Sequence, residues 1–250
     1  MRPQRRIALR ARIAACIAVA ALAASARADE PPPWPAAAEA LSLPLTIVPA
    51  TGAARALLVF FSGDGGWAAV DQEVSSGLAA RGVATIGWSS LRYFATTQSP
   101  VRVAEDLRRL LRVLEPAGLP IFVGGYSFGA EVAPVVLAGE WSAAERKRIA
   151  GLLLLAPGAS ASFRVNPLDW IRDPPVDPKH RIDDAARRLG GLRTLCVTGV
   201  DDTTSACGAL ADVPGVTVAR VPGTHHFENG IPAVIDAATT RLFMPALEER

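Results

Sequence analysis

Histidine, cysteine and long apolar runs are all scarce in this chain of 250 residues. Three histidines, His180, His225 and His226, leave any imidazole chemistry few candidates. Three cysteines, Cys16, Cys196 and Cys207, exclude a disulfide-dense scaffold. The apolar run from Ile13 to Ala24 is shorter than the roughly 20 residues a membrane-spanning helix needs. It follows Arg2, Arg5, Arg6, Arg10 and Arg12 and precedes Ala26-Arg27-Ala28, a small-x-small pattern. That layout predicts a secretory signal peptide over residues 1–28, with a mature chain starting near Asp29. Its removal takes away six arginines and no acids, so the formal charge moves from +2 to −4, with 20 basic and 24 acidic residues left. Such a balance gives no reason to expect nucleic acid as a partner. The sequence contains no internal repeat. Its glycine loop FFSGDGGW lacks the Lys-Ser/Thr that a phosphate-cradling P-loop requires, which excludes nucleotide binding there.

What the chain does have is alternation. LLVFFS (Leu57–Ser62), VATIGW (Val83–Trp88), Ile121–Gly124, Leu152–Ala156 and Thr194–Thr198 are continuous apolar or β-branched runs, as expected of strands buried on both faces of a parallel sheet. Val216–Val221 reads as a further strand. Helical patterns separate them. Ser99-Pro100 supplies a cap and a first-turn proline, and Val103, Leu107, Leu110 and Leu114 then share one face. Gln72–Arg81 and Ile231–Leu242 also suit helices. The expected fold is a single α/β domain over residues 41–250, with a doubly wound, mostly parallel sheet and helices on both faces. A stiff proline-rich leader, residues 29–40, precedes it, and a small insertion near 158–188 carries Pro167, Pro174, Pro175 and Pro178.

IFVGGYSFGAEV, residues 121–132, breaks a strand into glycines around Ser127 and continues as a helix. A nucleophile elbow requires this: the serine sits in a strained turn, and Gly125 and Gly129 let the helix pack close behind it. A serine hydroxyl needs a base. VPGTHHFENG follows the last predicted strand and offers two, with His226 preferred for its G-x-x-H-aromatic setting and His225 as the alternative. The orienting acid is expected between them in sequence, the order found in α/β-hydrolases. Asp202, three residues beyond Gly199, fits it, and Asp201 is expected to face solvent or cap a turn. The oxyanion donors are expected to be the backbone N–H groups of Phe128, just past the serine, and Asp64, in the glycine loop after the first of these strands. No metal and no cofactor is called for. Cys196 and Cys207 are the pair left after signal removal, and in an oxidising compartment they are expected to form a disulfide with Asp202 inside its loop.

FSGDGGWAAVDQEV, SSLRYF, VGGYSFGAEVAP, ASFRVNPLDW and CVTGVDDTTSAC together resemble the VirJ/AcvB bacterial virulence proteins, over about Leu57 to Phe227. The resemblance implies export to the periplasm, an α/β-hydrolase domain and hydrolysis of aminoacylated phosphatidylglycerol, chiefly lysyl-phosphatidylglycerol. It implies that Ser127 is the nucleophile and that an acid belongs at Asp202. Glu131 departs from the aspartate frequent in the family. Under the same resemblance Arg92 and Tyr93, at the end of a strand, are candidates for binding the lipid phosphate, with an ordinary surface arginine as the alternative. Phe163 and Trp170 either line an acyl-chain groove or pack the insertion. The partner implied is a small-molecule or lipid ester, with peripheral contact with the inner membrane and contact with secretion machinery as further expectations. Two rival functions are a generic carboxylesterase or lipase, and a non-catalytic factor that binds exported substrates.

Overall fold

The computed structural model describes residues 34–166 and 176–248, so the expected signal peptide, Pro167, Trp170, Pro174 and Pro175 lie outside the described residues. Among these, seven strands form one sheet in the order β1-β3-β2-β4-β5-β6-β7. They are β1 (Leu45–Val48), β2 (Ala56–Phe61), β3 (Val83–Trp88), β4 (Ile121–Tyr126), β5 (Ile149–Leu155), β6 (Thr194–Gly199) and β7 (Val216–Val221). β2 to β7 are mutually parallel, and every residue of β2, β3, β4 and β6 is buried, which is why these segments read as unbroken apolar runs. β1 pairs antiparallel with β3 at one edge, from Leu45 opposite Trp88 to Val48 opposite Thr85. It escapes sequence reading because it is four residues long and only partly buried.

The helices that position the site are α1 (Trp34–Glu39), α2 (Ala69–Ala79), α3 (Pro100–Leu114), α4 (Phe128–Leu137), α5 (Ile182–Arg188) and α6 (Ile231–Ala238). One face of the sheet is covered by α2 and α6 through Val74, Leu78, Val234 and Ile235. The other is covered by α3, α4 and α5, where Val103, Leu107, Leu110 and Leu114 are all fully buried, as their spacing predicts. Ser99 caps α3 by accepting the Arg102 N–H at 3.1 Å, with Pro100 in the first turn. The reading of a leader outside the core needs correction for residues 34–40, the part of 29–40 that is described. Trp34 is 3% exposed and Ala38 fully buried, because α1 lays its apolar side against the layer containing α3. Proline at the second position of a short helix is compatible with helical geometry, since its missing N–H has no intrahelical acceptor there.

The connection between β5 and β6 contains the expected insertion. Its described parts include a bridge between Ser160 and Arg181 and the helix α5.

Candidate active site

The parallel strands end along one edge, and the loops leaving β2, β4, β5, β6 and β7 meet there around one cleft. Ser127 stands at the turn from β4 into α4 with φ of 50° and ψ of −117°. That is a strained conformation for a residue with a side chain, and the chain holds it with a 2.8 Å hydrogen bond from the Ser127 N–H to the Leu155 carbonyl. The flanking glycines are obligatory. A Cβ on Gly125 would lie 2.3 Å from the Gly129 carbonyl carbon, and one on Gly129 would lie 2.1 Å from the Phe61 oxygen.

The loop after β7 brings His225 across the cleft. Its Nε2 lies 2.8 Å from Ser127 Oγ and its Nδ1 lies 3.2 Å from Asp202 Oδ2. Asp202, with its side chain 1% exposed, is held from the other side: Oδ1 accepts the Thr204 N–H (2.9 Å), the Thr204 hydroxyl (2.8 Å) and the Ser205 N–H (3.1 Å). Burial works to raise the Asp202 pKa, but the Thr204 hydrogen bonds and the neighbouring His225 hold it below the ordinary carboxylate value. Asp201 is exposed. Cys196 and Cys207 are joined as a disulfide, and Asp202 lies within the loop it closes.

The preference for His226 is reversed by this geometry. His226 Nδ1 lies 2.7 Å from the Tyr126 hydroxyl, which also donates to the His225 carbonyl at 3.3 Å. The ring of His226 is thereby turned toward the residue before the nucleophile, and the ring of His225 takes the place against Ser127. Tyr126 is the residue that sequence reasoning missed. Its position next to Ser127 was the available signal, but nothing in the sequence shows which loop its hydroxyl meets.

Phe128 is the first residue of α4, where a backbone N–H has no acceptor within the helix. Asp64 sits in a turn closed by the Gly66 N–H to the Gly63 carbonyl at 3.0 Å, and both Asp64 and Phe128 line the cleft with Ser127. Two side chains fix this loop from beneath. Ser62 Oγ accepts the Ser90 N–H, and Asp71 Oδ2 accepts the Ala68 N–H at 3.1 Å. Asp71 is 1% exposed, and burial pushes its pKa up to about 7 against the lowering effect of the backbone N–H groups of Ala68 and Gly63.

Arg92 and Tyr93 are the residues expected to bind a lipid phosphate. Neither lines the cleft. Tyr93 packs edge-on against Trp88 and Phe94, and its hydroxyl donates to Asp106 at 2.5 Å, so it belongs to the core layer under α3. Arg92 is exposed in the short helix Ser90–Tyr93. Phe163 is 7% exposed, packs against Phe94 and borders the cleft. His180 also borders the cleft, paired with Asp177 at 2.8 Å.

The family described as bacterial virulence protein (VirJ) matches residues 55–244 of this chain. No curated protein matches the sequence significantly. Solved structures do match in shape. TT1662 from Thermus thermophilus is 20% identical with a TM-score of 0.58, over 84% of this chain and 96% of that one. Est1E from Butyrivibrio proteoclasticus is 17% identical with a TM-score of 0.58, over 82% of this chain and 94% of that one. A soluble variant of the monoglyceride lipase from Saccharomyces cerevisiae is 12% identical with a TM-score of 0.54, over 78% and 87%. At these identities the likeness speaks for the fold, which is that of the α/β-hydrolases.

Proposed function

The chain belongs to the bacterial virulence protein (VirJ) family, and from that premise we propose that it is a periplasmic serine hydrolase that cleaves aminoacyl esters of phosphatidylglycerol, lysyl-phosphatidylglycerol foremost. The observation that carries the hydrolase reading is the unbroken relay from Ser127 through His225 to Asp202. Each link in it has a task. His225 Nε2 takes the proton of Ser127 Oγ as that oxygen attacks the ester carbonyl carbon. Asp202 fixes the imidazole tautomer and stabilises the imidazolium. The N–H groups of Phe128 and Asp64 receive the developing oxyanion, each donor lowering the barrier by about 3 kcal/mol. The imidazolium then gives its proton to the departing glycerol oxygen of the lipid, leaving an aminoacyl ester on Ser127. Water, activated by the same histidine, releases the amino acid and restores the serine.

The cleft supports a large substrate. Its volume is about 1540 Å³, beyond the roughly 300–1,000 Å³ of sites for ordinary small molecules. The test has two parts. A fluorophosphonate probe should label Ser127, and failure to label would favour a binding role over a catalytic one. Release of lysine from lysyl-phosphatidylglycerol in mixed micelles, compared with turnover of 4-nitrophenyl butyrate, separates this substrate class from a generic carboxylesterase. Butyrate turnover without lysine release would reject the lipid substrate.

A further inference from the structure

The charge on the walls of the cleft is one-sided. Among the described residues lining it, six carry carboxyl groups and one, Arg164, carries a guanidinium. Several of the six have partners of their own, Asp64 included. Asp177 pairs with His180, and Glu228 accepts the N–H and hydroxyl of Thr224. Glu73 is exposed. Asp71 and Glu131 are different. Asp71 is 1% exposed, and its Oδ1 has no hydrogen-bond partner. Glu131 accepts a single backbone N–H, from Gly158 at 3.0 Å, and makes no ion pair among the described residues. Burying a carboxyl group without a cation is costly, and a cleft lined by one sign of charge favours a ligand of the other.

The position of Glu131 narrows the ligand. It lies one helical turn beyond the nucleophile, its N–H bonded to the Ser127 carbonyl at 3.1 Å. Ser127 and Glu131 both line the cleft, and the Glu131 carboxyl group is anchored there by the Gly158 N–H. In an aminoacyl ester the α-nitrogen is bonded to the carbon next to the carbonyl that Ser127 would attack. An ammonium on the acyl portion of the substrate therefore falls within reach of a carboxylate at this position. We propose that Glu131, with Asp64 nearby, forms the subsite that receives the substrate's ammonium group and so selects aminoacyl over plain acyl esters. This rests on the reading of the protein as an ester hydrolase of aminoacyl lipids. A tether to Gly158 alone does not account for the residue, because a glutamine would accept the same N–H without a half-buried acid. Burial and the charge of Asp64 raise the Glu131 pKa to about 8, against the lowering effect of the Gly158 N–H.

The experiment compares two phosphatidylglycerol esters in mixed micelles, one of lysine and one of hexanoate, the same chain without its amino groups. The readout is the ratio of kcat/KM for the two. The wild-type protein should favour the lysyl ester. Glu131→Gln keeps an acceptor for Gly158 and should lower the ratio at least about tenfold, the scale of a hydrogen bond to a charged group. Glu131→Asp, which keeps the charge, should retain the preference for lysine. A wild-type ratio in Glu131→Gln, with lysyl turnover intact, overturns the subsite and leaves the hydrolase reading standing. Hexanoyl turnover without lysyl turnover in the wild-type protein overturns the aminoacyl reading itself. Should Glu131→Gln fail to fold, inhibition of the wild-type protein decides: lysine ethylamide should inhibit more strongly than hexanoic acid ethylamide, and equal inhibition overturns the subsite.

Discussion

The two walls of the cleft treat their carboxyl groups in opposite ways. On the side built by the loops after β6 and β7, Asp202 has a side chain 1% exposed, yet it accepts three hydrogen bonds at one oxygen and faces His225 at the other. On the side built by the β2 loop, α2 and α4, Asp71 accepts the Ala68 N–H, with a lesser effect from the Gly63 N–H, and Glu131 accepts the Gly158 N–H. The acidities diverge accordingly. Asp202 is held below the ordinary carboxylate value, whereas burial pushes Asp71 up to about 7 and Glu131 up to about 8. Burial alone therefore does not decide whether a carboxyl group carries charge; the number of donors around it does. The first wall is wired to hold an anion beside a base. The second is left short of donors, and on our reading a substrate cation completes it.

Breaking the wired wall should give the largest effects. Ser127→Ala removes the attacking oxygen and leaves a small turn residue, so kcat for ester hydrolysis should fall by about a million-fold while the circular dichroism spectrum is unchanged. His225→Ala should fall about as far, because its ring contacts both Ser127 and Asp202. Asp202→Asn should cost about ten-thousand-fold through the wrong imidazole tautomer. His226→Ala should cost about tenfold or less, since its ring meets Tyr126 and not the nucleophile. Steady-state rates on one ester substrate test the series, and a greater loss in His226→Ala than in His225→Ala would exchange their roles.

The disulfide comes next in size. It closes a loop over a sequence separation of 11 that contains Asp202. The chain-entropy estimate for a loop of that length is about 2.5–3 kcal/mol. Cys207→Ala should lower the free energy of unfolding in urea by about that amount, with a smaller loss of kcat as the acid loop loosens. Unchanged stability in the variant would mean that the β6 strand and the Thr204 hydrogen bonds hold the acid loop unaided.

These expectations also mark what the sequence could tell and what it could not. The strands were legible because burial on both faces leaves unbroken apolar runs, and Ser127 because only glycine fits at Gly125 and Gly129. Asp202 was legible from its spacing after the end of β6. The choice between His225 and His226 was not. Both sit on one loop, and the deciding contact, from the Tyr126 hydroxyl, joins residues 100 apart in sequence. The contact of the Tyr93 hydroxyl with Asp106 beneath α3 was illegible for a related reason, since it joins a strand end to a helix 13 residues on. Asp71 was illegible in another way. Within AAVDQEV it reads as the polar side of an amphipathic helix, and its burial follows from the glycine loop folding over the start of α2.

The last expected effect, on stability and its pH dependence, tests the donor-poor wall directly. Asp71 has its pKa raised from an ordinary 3.8 to about 7, chiefly by burial. The folded protein therefore binds this proton more tightly than the unfolded chain does. The stabilisation associated with it is complete below about pH 4 and is lost as pH rises through about 7. By linkage the loss is at most about 4 kcal/mol above that range, one pKa unit corresponding to about 1.4 kcal/mol. Asp71→Asn keeps an oxygen to accept the Ala68 N–H and cannot ionise. At pH 3.5 the variant and the wild-type protein should unfold at nearly the same temperature. At pH 8.5 the variant should be the more stable of the two, because the wild-type protein must then either ionise a carboxyl group with one good donor or hold its proton against the solvent. Differential scanning calorimetry at the two pH values measures this. A variant less stable than the wild-type protein at both would mean that Asp71 is better supplied with donors than its geometry indicates, and the contrast between the walls would then rest on Glu131 alone.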